Sequence, residues 1–432
     1  MITQPKSTAA PDPTWSRLRS MSKSDLKAAP ALVLLATLSA CWDDAPFAVN
    51  GEERALVVED PVILSERIEY SEDRLAIEPL ASVAGSELSP AQSIREAVLP
   101  VTLTMIAEVA TPELDGVSLQ ASHLAVLGDQ AYVSYNVQGP LVMGGVDAFD
   151  GIGQRTPILT SGILFTDTDV SAVEVSGNDL FLATGTTEGS HDSTAVLEIA
   201  TARRGGRLIS PLTRRTGLSS FVATGLAIHN GRIFVTSGDT GGGLTVLDQA
   251  TEAVLSFDPF PDARAIAAEG SWVVAMKGTP ASLRVYDRQT AAFVRQIDVG
   301  GATIPESKSG LDISGDVAAV ATGDEGIKLV HLISGEVIAS LPPPVTGDPD
   351  FVSNDVAIHN DLVFVANGGG GLWAAQASGT LSGFGPGETP SLTWVGRVGF
   401  PEGTSVNFVT RKGNRLVVAG GFGGLKMVAI DG

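Results

Sequence analysis

Three polar residues, Glu174, Asp312 and Asn407, are the first candidates for chemistry, because each precedes an apolar residue at the same point of a recurring segment (Val175, Ile313, Phe408). Carboxylates brought together in this way could bind a cation or work as an acid–base pair. The structural alternative is that a charge in mid-strand is paired or solvated, by hydrogen bonds to a neighbouring segment or by trapped water. Five histidines are present, His123, His191, His229, His331 and His359, without an HExxH motif or paired spacing, so they read as surface or turn residues and no metal site is expected. No GxSxG elbow occurs. The glycine-rich stretches "GDTGGG" (238–243) and "NGGGG" (367–371) lack the lysine of a phosphate-binding loop and read as turns. No catalytic residue is assigned on these grounds, and no cofactor is expected.

The elements that must position these residues are written in a repeat. "LAIHNGRIFV" (226–235) returns as "VAIHNDLVFV" (356–365). Both belong to a seven-copy pattern of apolar strand, tight turn, second strand, glycine-rich or polar loop, third strand and looser fourth strand. The matched residues Val126, Val175, Ile228, Ala267, Ile313, Ile358 and Phe408 lie 39 to 53 residues apart, which is the length of one four-stranded propeller blade. The expected fold is therefore all-β, a seven-bladed β-propeller over residues 101–432. The last copy stops at a third strand, "LKMVAID", and "VTLTMIAEVATPE" (101–113) resembles the fourth strands. The N-terminal strand is expected to close the last blade and remove open sheet edges. The composition agrees: 44% hydrophobic residues with 49 Gly and 24 Pro favour many short strands and turns over long helices. The five Trp have no regular blade spacing, unlike quinone-cofactor propellers.

In this fold the loops between second and third strands share one face with the connections between blades. That face would carry Asp239, Asp324, Glu325, Asn367 and Phe422, together with longer inserts at 135–145, 185–193 and 342–354. Loops on a rigid scaffold are where binding usually resides, so these five residues are the candidate binding face. Short Asp/Gly loops are also simply good turn formers.

Ahead of the repeats, Lys23 and Lys27 precede the apolar run "AAPALVLLATLSA" (28–40), which ends at Cys41, the sole cysteine. A basic start, about a dozen apolar residues and small residues before a cut site describe a signal peptide over 1–40. The run is too short for a permanent span, which needs roughly 20 residues. "LSAC" (38–41) resembles the lipobox of bacterial lipoproteins, which implies lipid attachment at Cys41. Met21 is an alternative start. Trp42 rather than Asp after the cysteine resembles outer-membrane or surface sorting rather than retention at the inner membrane. Residues 41–100, acidic and then small and polar, read as a flexible linker. The formal charge of −21 makes nucleic acid and anionic lipid poor partners, leaving membrane contact to the lipid anchor alone.

"GLAIHNGRIFVTSGDTGGGLTVLD" (225–248) and "DVAIHNDLVFVANGGGGLWAAQ" (355–376) resemble the LVIVD-type repeats of bacterial surface β-propellers, with "LTVLD" and "LRVYD" near the family's namesake strand. "LWAAQ" and "GIKLVHL" depart from the pattern. The family brings no agreed catalytic residues. The expectation is a monomeric, lipid-anchored, extracytoplasmic propeller at the bacterial cell envelope, binding a protein or glycan through its loop-rich face. The alternatives are a hydrolase or lyase with an acidic site at the channel mouth, and a purely structural envelope component.

Overall fold

A computed structural model describes residues 54–79, 100–139, 141–187, 194–202, 208–304, 307–344 and 351–431. The expected signal peptide, Cys41, His191, and residues 41–53 and 80–99 of the expected linker lie outside the described residues. Among the described residues no helix is long and apolar enough to cross a membrane.

Seven antiparallel sheets, each with a four-strand core, follow one another along the chain. Their inner strands are Gln120–Leu127, Thr168–Ser176, Ala223–His229, Ala263–Glu269, Leu311–Ser314, Asp355–His359 and Phe408–Lys412, in blades 1 to 7. Each inner strand packs beside that of the next blade, and the seventh packs beside the first, so the ring closes. The fold is the seven-bladed β-propeller that the repeat predicts. The second strands are buried through their middles, and Val317–Ala321 and Leu362–Ala366 along their whole length. Both of their faces meet a neighbouring blade, and that is why strict apolar–polar alternation is missing there. Between blades 5 and 6 the packing is aromatic, with Phe351, Trp373 and Trp394 edge-on to one another at 5.4–5.6 Å.

The twice-written ten residues are the first hairpins of blades 3 and 6. Asn230 and Gly231 both have positive φ (48° and 72°), the geometry of a two-residue hairpin turn whose twist suits the flanking strands. Closure is as expected: Thr102–Val109 pairs antiparallel with Leu425–Asp431, so a strand that precedes blade 1 in sequence completes blade 7.

The flexible linker expected over 41–100 requires correction at residues 54–79. Residues 54–79 form a strap around the outside of the ring. Ala55–Val58 adds a strand to the outer edge of blade 1, Ile68–Tyr70 to blade 7, and Glu78–Pro79 to blade 6. A one-and-a-half-turn helix, Pro61–Glu66, joins the first two, with Asp60 capping the Val62 N–H at 2.8 Å. Two arginines fasten the strap. Arg67 pairs with the buried Asp147 of blade 1 at 2.5 Å, and Arg54 pairs with the buried Glu198 of blade 2 at 2.8 Å.

Candidate functional site at the central channel

Counting each inner strand back from its own hairpin turn puts the channel residues in rows. The third row is Ala125, Glu174, Ala227, Ala267, Asp312, Ala357 and Thr410. Glu174 and Asp312 are thus equivalent, as expected, but Asn407 is not. The blade 7 hairpin extends three residues further, which moves Asn407 up to the sixth row, at the loop-rich mouth, where Ser405 Oγ donates to its side chain at 3.0 Å. The same count makes Ala268, not Ala267, the match of Ile228.

The sixth row, Ser122, Ser171, Thr224, Arg264, Ser309, Asn354 and Asn407, is polar in every blade. In blades 1 to 4 it coincides with a register shift that turns one residue out of the ladder. Most of the row is occupied in holding blade to blade. Ser122 Oγ donates to Val170 O (3.1 Å), Thr224 Oγ1 to Ala263 O (2.9 Å) and Asn354 Nδ2 to Val406 O (3.3 Å). Arg264 donates to Ile304 O and Ser307 O and pairs with Asp262.

The acids deeper in the channel do similar work. Asp312 accepts from Ile313 N and, across the blade boundary, from Ile358 N, both at 2.8 Å. Asp355 accepts from Val409 N of blade 7 at 3.0 Å. Burial raises both above the ordinary carboxylate range, more strongly at Asp355, with these N–H donors working the other way. Glu174 has only the Val175 N–H (3.0 Å), and burial pushes it up to about 7. Glu174 and Asp312 stand on blades 2 and 5, and neither contributes to the other's shift. Both are half-buried carboxyls on different blades, and for Asp312 the bond between blades is what the structure shows.

Around the loop-rich mouth opens a cavity of about 630 Å³. It is lined by Glu174, Asp312 and Asp239 among the expected residues, whereas Asp324, Glu325, Asn367, Phe422 and Asn407 lie outside its walls. Three of the loops of this face are tied to the next blade through a glycine. Gly323 bridges to Ser353, Gly368 to Val406 and Gly421 to Ala121. All three glycines have positive φ (63°, 52° and 59°), a conformation other residues adopt only under strain. These ties fix the tips that follow. Asp324 accepts from Thr303 (3.3 Å), Glu325 pairs with Lys328 (2.7 Å), and Phe422 projects with 57% of its surface exposed. Phe221, on the connection into blade 3, lines the cavity and is 58% exposed. Asp239, also exposed, accepts from Thr240. Asn367, expected on the binding face, is instead fully buried, and neither its amide nitrogen nor its oxygen has a partner.

Two channel residues escaped the sequence reading. Lys308, ahead of the blade 5 inner strand, reaches across the mouth to donate to Ser122 O of blade 1 at 2.9 Å. Burial lowers it to about 8, with the Asp355 charge working the other way. His123 is an inner-strand residue and no turn. Its Nδ1 faces Val173 N at 3.4 Å and its ring lies 4.2 Å from that of Phe408. Burial and then the Lys308 charge depress it to about 3, so the imidazole is neutral. His331 is also buried, its Nδ1 accepting from Ser334 N at 3.1 Å. Among the described residues no group of His, Cys, Asp and Glu is arranged to hold a metal ion.

No family model and no curated protein matches this sequence. Solved structures do resemble it. The RRP9 WD40 repeats share 13% identity over 74% of this chain and 97% of theirs, with a TM-score of 0.51. The Pan2 WD40 domain of Neurospora crassa shares 13% over 72% and 89%, with a TM-score of 0.48. The computationally designed Ika8 protein shares 14% over 74% and 99%, with a TM-score of 0.42. At such identities the likeness is one of fold, and the chain is a β-propeller.

Proposed function

We propose that this protein is a binding scaffold of the bacterial cell envelope, an LVIVD-type propeller held by a lipid on Cys41, presenting its loop-rich face to a protein or glycan. The observation that carries the reading is the rim of that face. Phe221 and Phe422 stand more than half exposed on loops of the ring, Phe422 next to the Gly421–Ala121 tie and Phe221 on the wall of the open cavity. Exposed aromatics on a rigid mount are the usual anchors of recognition, because little side-chain entropy is lost when they are covered. The propeller is an architecture commonly used as a protein-binding scaffold, and the bond that ties Asp312 to the next blade favours binding over two-carboxylate hydrolysis or lyase chemistry. The lipid anchor rests on the basic, apolar and "LSAC" pattern of residues 23–41.

Two experiments address these parts separately. Tagged protein cross-linked on its native cells should capture a discrete stoichiometric partner. A Phe221→Ser, Phe422→Ser double variant, folded by its circular dichroism, should lose it. The same captured set from both forms would overturn the assignment of the face. For the anchor, Cys41→Ser should abolish incorporation of a labelled fatty acid and release the protein from the membrane fraction. Unchanged labelling and retention would remove the lipobox from the reading.

A further inference from the structure

We infer that the channel wall where blades 1 and 2 meet binds a hydroxylated carboxylate of the uronic-acid class, received through the loop-rich mouth. This deepens the scaffold reading by naming what the cavity takes. The wall brings together Lys308, His123, Asn136, Ser171, Glu174 and Phe408, all lining the cavity.

Most other polar groups at the mouth are used up between blades, but this set keeps donors and acceptors to spare. Among the described residues the Lys308 ammonium donates to Ser122 O and has no ion pair, leaving two of its three protons for an incoming acceptor. With Nδ1 of the neutral His123 directed to the Val173 N–H as acceptor, the ring proton sits on Nε2, a second donor. Lys308 Nζ is bonded to the carbonyl of Ser122, the residue before His123, and its charge acts on the imidazole, so the two donors are near neighbours that could share one carboxylate. Among the described residues Asn136 and Ser171 make no side-chain bond and Glu174 keeps one oxygen unused; these three match hydroxyls. Phe408, packed on the His123 ring, offers apolar surface to the C–H face of a sugar. The channel acids do not claim the same place: Asp312 and Asp355 are turned to the N–H groups of the next blade. A volume of about 630 Å³ falls within the roughly 300–1,000 Å³ of ordinary ligand sites.

The test is calorimetric titration at pH 6.5 with glucuronate, with glucose and with a uronic-acid oligomer. Glucuronate is expected to bind, and glucose to bind far more weakly. Lys308→Met should weaken glucuronate by about tenfold or more while leaving glucose unchanged, since one charge-assisted bond is worth that much. Asn136→Ala, at a less buried position, serves as a second variant and should weaken both sugars alike. An oligomer that binds more tightly than the monomer marks a glycan end as the source, and equal binding marks the free acid. Absence of glucuronate binding to the wild-type protein, or binding indifferent to Lys308→Met in a folded variant, overturns the inference. Capture of a partner through Phe221 and Phe422 would still stand in that case, so the two readings fail separately.

Discussion

Replacing Arg67 by Met should destabilise the propeller by about 3–5 kcal/mol, the usual cost of leaving one member of a buried ion pair alone. Arg67 spans the seam of the ring. It donates to Ala110 O, just beyond the strand that closes blade 7, and with two nitrogens to Asp147 in the third strand of blade 1. Asp147 is fully buried, so without the guanidinium its charge would have to be neutralised or exposed by opening the outer edge of the sheet. The check is urea denaturation of the wild type, Arg67→Met and Arg67→Met, Asp147→Asn. The double variant should recover most of the loss, because the orphaned charge is gone. A single-variant cost of about 1 kcal/mol or less, the range of an exposed pair, would mean that the strap is an ornament and not a latch.

That strap shows what a single sequence conceals. The seven copies and the closing strand were legible because each hairpin repeats two apolar strands around a tight turn, a signal written by burial on both faces. Residues 54–79 contribute strands of four, three and two residues. These pair through backbone at sheet edges, so their side chains are free to be acidic and read as a tether. The row positions failed for a different reason. Asn407 precedes an apolar residue of the repeat just as Glu174 does, whereas the side-chain row is set by the distance back from the turn, and blade 7 carries a longer hairpin. Lys308 was beyond reach altogether: nothing in "ESKSGLDIS" (306–314) says that this lysine crosses the channel to Ser122. Asp239, Asp324, Glu325 and Phe422 sit in loops that follow second strands, because loop composition follows from blade topology. Asn367 was misplaced because a repeat cannot tell a loop tip from the buried residue that starts the loop.

Glu174→Gln should make the protein more stable at pH 8 and leave it unchanged near pH 4.5. The folded carboxyl titrates at about 7 against an ordinary value of 4.5. Above pH 7 it is ionised in both folded and unfolded states, and the folded state bears the whole cost of burying the charge. As pH falls from 7 towards 4.5 the folded state takes up the proton first, so stability rises through that window; the gain amounts to about 3 kcal/mol. Gln is neutral throughout and keeps the oxygen that accepts from Val175 N, so the variant has that stability already at pH 8. The wild-type curve alone would not isolate the effect. Asp312 and Asp355, also raised, act in the same direction, whereas His123, held neutral down to about 3, costs stability as pH falls below 6.5. Lys308, lowered to about 8, contributes a cost that develops between pH 10.5 and 8 and is constant below. The readout is therefore the difference between the two proteins in denaturation midpoint, followed from pH 8 to 4.5. It should shrink towards zero across that range, and parallel curves would mean that Glu174 is solvated in the channel and not buried by it.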